Sequence, residues 1–161
     1  MFTRAAFLRL PALAAAAFAL NSSGIAVAAA KNGIVRVKSS YGFQDTIARL
    51  KADIAGKGIK FFTEIDQSML AADSGIKLQP STLLVFGNPP LGTQFITANP
   101  NAGLDWPVRL LVTEDEAGNV WAVYSDFGWI AARHGIKNRQ AQFKMASKVI
   151  ASITSSIVAQ G

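Results

Sequence analysis

The chain has no cysteine and a single histidine in 161 residues. Without thiols there is no disulfide, thiolate metal site, cysteine nucleophile, lipoprotein-type lipidation or c-type haem attachment. With one imidazole, metal sites built from several histidines are excluded too. Charged residues make up 16% of the chain and apolar ones 50%, which is a folding composition and not a disordered one. Four signatures do not occur: Gly-x-x-x-x-Gly-Lys, Gly-x-Gly-x-x-Gly, His-Glu-x-x-His and Gly-x-Ser-x-Gly. No apolar run reaches the length of about 20 residues that a spanning helix needs.

The opening stretch carries Arg4 and Arg9, the apolar run Leu10 to Leu20, and a break at Asn21 to Gly24. Small residues at Ala26, Ala28 and Ala30 then match the pattern read by signal peptidase. This predicts a secretory signal peptide over residues 1–30, cut after Ala28 or Ala30, and one α+β domain over 31–161. The mature protein is then periplasmic or secreted, with no membrane span. Arg4 and Arg9 leave with the leader, so the pI of about 9.9 overstates the basicity of the domain. Its basic residues are scattered, which argues against nucleic acid as a partner.

Alternation of β-branched residues predicts a strand over Asn32–Lys38. Phe43, Ile47, Leu50 and Ile54 recur at helical spacing, predicting a helix over Phe43–Gly56 capped by Ser40 and stopped by Gly58. Ile59–Asp66 reads as a strand and Gln67–Ser74 as a short helix with Met69, Leu70 and Ala71 or Ala72 inward. The apolar run Thr82–Phe86, closed abruptly by Gly87, Asn88, Pro89 and Pro90, reads as a buried strand entering a hard turn. A short helix is expected over Gly92–Ala98 and a loop over Asn99–Gly103. Val108–Glu114 and Val120–Asp126 flank a turn at Glu116–Asn119 and predict a hairpin central to the sheet. A helical turn at Phe127–Ile136 precedes a long helix, Arg139–Gln160. Its seam of Phe143, Ala146, Ile150, Ile153 and Ile157 should pack on the sheet. The fold expected is α+β: a mostly antiparallel sheet of about five strands with helices on one face. If the other face is apolar, a second copy is its natural cover, which predicts a homodimer.

Residues that could carry chemistry stand mainly at element ends. Asp66, Asp105 and Asp126 are carboxylates able to do acid–base work or to cap helices and turns. Arg109 inside an apolar strand needs an acid, which Asp105 or Asp126 could supply; otherwise it forms an anion site with the backbone near Gly87 and Asn88. Asn88 is a turn residue or a polar reader of a ligand. His134 is a base or ligand, or else a surface histidine favoured by a helix C-terminus. Trp106, Trp121, Tyr124 and Trp129 are core residues or the lining of an apolar pocket. The candidate ligand-binding set is therefore Asn88, Asp66, Asp105, Arg109, Tyr124, Asp126 and His134, with no cofactor, no metal and a small anionic or apolar ligand.

Three blocks of this chain then carry a family resemblance: Glu64-Ile65-Asp66 with Ala71 to Gly75; Leu83 to Pro89 with its Phe-Gly-Asn-Pro; and Leu104 to Arg109 followed by Val120, Trp121 and Tyr124. Together they resemble the bacterial family known as domain of unknown function 302, over roughly Gly33 to Ile136. The resemblance implies a strand-helix-strands-helix layout like the TATA-binding-protein-like folds, often a dimer, and no agreed activity. Members commonly carry His after the Asp of the Ile-Asp pair. Gln67 stands there in this chain, so a metal or acid–base role at that position does not carry over. The functional expectation is an exported, non-catalytic binding or accessory domain. The alternatives are a small hydrolase or isomerase using carboxylates with His134, and a structural envelope protein.

Overall fold

Strand order, more than strand count, decides which residues of this protein meet. The computed structural model describes residues 31–159, so the expected signal peptide at 1–30 lies outside the described residues. The strands are β1 (Ile34–Lys38), β2 (Lys60–Asp66), β3 (Ser81–Gly87), β4 (Val108–Glu114) and β5 (Val120–Ser125). They form one sheet in the order β1-β5-β4-β3-β2, with every neighbouring pair antiparallel. The helices are α1 (Phe43–Gly56), α2 (Gln67–Asp73), α3 (Pro89–Ala98), α4 (Phe127–Arg133) and α5 (Gln140–Ser155), with a 3-10 helix at Pro100–Asp105. The α+β architecture with a five-stranded antiparallel sheet is the expected one.

Alternation splits each inner strand between two environments. One face presents Val35, Val37, Leu84, Phe86, Leu110, Val112, Ala122 and Tyr124, all buried. The core is completed by Ile47, Leu50 and Ile54 of α1 and by Phe143, Ala146, Ile150 and Ile153 of α5. Phe143 also stacks on Phe95 of α3, with ring centroids 4.1 Å apart. The opposite face follows the register Ile65–Leu83–Leu111–Val123–Arg36 across all five strands. Leu83, Val85, Leu111 and Val123 on it are only half-buried, and Ile34 and Ile65 are exposed.

Several local expectations need correction. Ser40 does not cap α1: the N-cap is Gly42 without a side-chain bond, and the Ser40 hydroxyl accepts from Ala159 N instead. Thr46 Oγ1 closes that first turn by donating to Gly42 O at 2.8 Å. Gly58 does end the helix region, with φ +64. Met69 and Leu70 of α2 point outward, 59% and 54% exposed, and α2 buries no residue at all. A seven-residue helix at the sheet edge is held by its cap and by Ser81, not by an apolar stripe. The segment expected to be loop after Asn99 is the 3-10 helix, started by the Asn99 side chain accepting from Asn101 N. The last helix ends at Ser155, although Ile157 beyond it remains fully buried.

Candidate functional site

The Phe86-Gly87-Asn88-Pro89 sequence is explained by what surrounds it. The Trp106 indole lies over the glycines: a Cβ on Gly87 would come within 3.1 Å of Trp106 Nε1, and one on Gly92 within 1.7 Å. Asn88 is the N-cap of α3, its Oδ1 accepting from Leu91 N at 3.3 Å, and Pro89 fits the first helical position because it lacks the donor that position cannot use. An apolar cavity of about 40 Å³ sits here, lined by Phe86, Gly87, Leu91, Trp106, Phe127 and Ile150 among others.

Asp66 and Asp126 are N-caps in the same way. Asp66 Oδ1 accepts from Met69 N and from Ser68 Oγ, and these bonds hold its carboxyl below the usual aspartate value. Asp126 Oδ1 accepts from Trp129 N at 2.7 Å. Tyr124 is buried on the helix-covered face, and burial pushes its phenol up from the ordinary value. The structure thus leaves Asn88 and Asp66 apart from each other at the starts of α3 and α2, while Asp126 stands near enough to Tyr124 for its charge to add to the rise of that phenol.

Asp105, Arg109 and His134 do meet. Asp105 closes the 3-10 helix with only 4% of its side chain exposed. His134 Nε2 lies 2.6 Å from Asp105 Oδ2, and its side chain is 6% exposed. His134 is therefore a buried partner of a carboxylate and not a surface histidine. Arg109, at the start of β4, donates from Nη2 to Asp105 Oδ1 at 3.1 Å and to Leu104 O at 2.8 Å. Arg133 Nη1 reaches both oxygens of Asp105, at 3.2 and 3.1 Å. The Asn99 amide adds a bond to His134 O at 2.8 Å, so three residue pairs fasten the end of α4 to the 3-10 helix and its cap.

A buried carboxylate is costly unless paired and hydrogen-bonded, and here one arginine on each side and an imidazole meet that need. The acceptor positions of Asp105 are thereby occupied. The adjoining cavity, lined by Asp105, Val108, Arg109, Ser125, Phe127 and Ile130, measures about 20 Å³, room for about one water. Among the described residues no group of three or more His, Asp or Glu side chains is placed to hold a metal.

Sequence reasoning missed Arg133, although it adjoins His134 and stands in the last turn of its helix. It also missed Asp115, which anchors the hairpin. Asp115 accepts from Trp121 Nε1, Asn119 N and Ala117 N, and the indole bond above all lowers its carboxyl to about 2. Its place just before Gly118, which adopts φ +78, was the available signal.

The family model for Domain of unknown function DUF302 matches residues 35–154. Curated relatives named "Fluoride-specific ion channel FluC 1", from Brucella suis and Brucella abortus, are each 37% identical over 105 residues. The match takes in 65% of this chain, and the chain spans about two fifths of those relatives' length, 41% and 39%. The crystal structure of a conserved DUF302 protein from Bacillus stearothermophilus superposes with a TM-score of 0.71 over 78% of this chain and 98% of that one, at 17% identity. That likeness is one of fold. The chain belongs to the DUF302 family.

Proposed function

We propose that this DUF302 protein is an exported, non-catalytic binding or accessory domain that works as a homodimer and takes a small anionic or apolar ligand. One observation carries the reading: the two faces of a single sheet are treated differently. Leu83, Val85, Leu111 and Val123 form a half-buried apolar field on the face opposite the core, continued by exposed Ile34 and Ile65. Apolar surface of this extent is what partner contact covers. A second copy is the occupant because it carries the same apolar field, and a two-fold axis lying along the face sets the two fields against each other.

The names of the curated relatives favour an accessory role. Among the described residues no helix is long and apolar enough to cross a membrane. A domain of this kind would serve a transport protein from outside the bilayer. The catalytic reading, a small hydrolase or isomerase, draws on the 2.6 Å contact between His134 and Asp105. The occupied acceptors of Asp105 and the one-water cavity weigh against it.

Native mass spectrometry of the protein, with Leu111→Lys beside it, tests the proposal. The expected result is a dimer that Leu111→Lys converts to monomer, a loss of about 2 kcal/mol or more of association at an interface centre. A wild-type monomer at micromolar concentration would sink the pairing.

A further inference from the structure

We propose that Arg109 and Arg133 form a preorganised fork for an oxyanion, a carboxylate or phosphate group carried by a ligand with a flat apolar body. The inference rests on the binding-domain reading and gives that ligand a place and a chemistry. Both guanidiniums are held by the same buried oxygen, Asp105 Oδ1, at 3.1 and 3.2 Å. Each spends a single nitrogen there, Nη2 of Arg109 and Nη1 of Arg133. The other nitrogens, Nε and Nη1 of Arg109 and Nε and Nη2 of Arg133, bond no other described residue, and the two side chains remain 51% and 45% exposed. One carboxylate against two guanidiniums leaves a local positive excess facing solvent.

The fork is also rigid. Arg133 lies over the Trp129 ring, 5.5 Å from its centroid. Trp129 in turn is seated on Gly33, where a Cβ would fall 2.3 Å from the indole and where φ is +77. Arg109 is fixed a second time by Leu104 O. Guanidiniums whose rotamers are already fixed lose little entropy on binding, and paired planar donors match the oxygens of carboxylate and phosphate. Trp129 and Leu104, 36% and 67% exposed, supply apolar surface beside the charge, which is why a flat apolar body suits the ligand. Arg109 lies in register with Val85, on the face of the sheet opposite the core.

The test is titration of the purified protein at low ionic strength with inorganic phosphate, benzoate and fluoride, read by tryptophan fluorescence and by arginine Nε–H resonances. Saturable phosphate or benzoate binding is expected, at least ~10-fold weaker in Arg109→Gln and in Arg133→Gln. Arg36→Gln, on the same face at the far strand, should leave binding unchanged. Thermal melts report whether each variant folds; Arg109→Lys and Arg133→Lys keep the charge, lose the fork geometry, and should also bind more weakly. Binding of equal strength in all the arginine variants, no saturation by about 10 mM, or fluoride binding without oxyanion binding would each overturn the fork. Native mass on the same samples separates the two readings. A dimer that binds no oxyanion defeats the fork alone, and a monomer that binds phosphate defeats the pairing alone.

Discussion

Leu110 and Leu111 are consecutive residues on the central strand, and they meet opposite environments. Leu110 is fully buried beneath α1 and α5, whereas Leu111 lies half-buried in the apolar field of the other face. The same contrast runs along β3 between Leu84 and Leu83. The strand pattern asks for two covered faces, and the described chain covers one. Covered positions serve the stability of the single chain, and open positions are available to something outside it.

The largest expected effect is on the covered side. Leu110→Ala should cost about 2–5 kcal/mol in urea unfolding, through lost burial and the cavity left behind. Leu111→Ala in the monomeric state should cost roughly 1 kcal/mol, because solvent already reaches the site. Equal losses at the two positions would erase the contrast.

The Asp105 cluster comes next. Asp105→Asn keeps the shape but removes the charge that Arg109 and Arg133 share, and should cost about 1–3 kcal/mol. An unchanged unfolding midpoint would mean that the cluster serves only ligand contact. Asp126→Ala removes a surface cap from α4 and should cost about 1 kcal/mol. Asn88→Ala at α3 should behave alike, with the thermal midpoint as the measure; a larger loss at Asn88 would point to a role beyond capping.

The smallest effect is a pH dependence confined to the hairpin. Folding lowers the Asp115 carboxyl from 3.8 to about 2, chiefly through the Trp121 indole. A depressed carboxylate contributes stability above its unfolded value, and the contribution disappears as pH falls through the folded one. The stability difference between wild type and Asp115→Asn should therefore hold steady above about pH 5 and shrink between 3.8 and about 2. A difference that stays constant through that window would refute the assignment.

Much of the fold was legible in the chain. β1, α1, the hairpin and the α5 seam follow from apolar periods that leave few alternatives. α2 was placed correctly, but its faces were reversed. Met69 and Leu70 look like a buried pair, and nothing local says that the sheet edge has no groove to receive them. The candidate site was legible only in pieces. An arginine inside an apolar strand asks for an acid, and the sequence offers Asp105 or Asp126 for Arg109; the fold supplies Asp105, and Arg133 and His134 join it from 28 and 29 residues away. Asn88 drew attention as a polar residue after a buried strand, and its side chain proves to cap the next helix.

The sequence by itself determined the family, the strand and helix periods, and the glycines at forced turns, because these depend on residues close together in the chain. The tertiary structure alone decided that, among the described residues, one face of the sheet stays open, that Trp106 lies over Gly87 and Gly92, and that two arginines and a histidine converge on one buried aspartate. Strand order and the docking of α4 bring those distant residues together, and a buried charge accepts only the partners that the packing delivers.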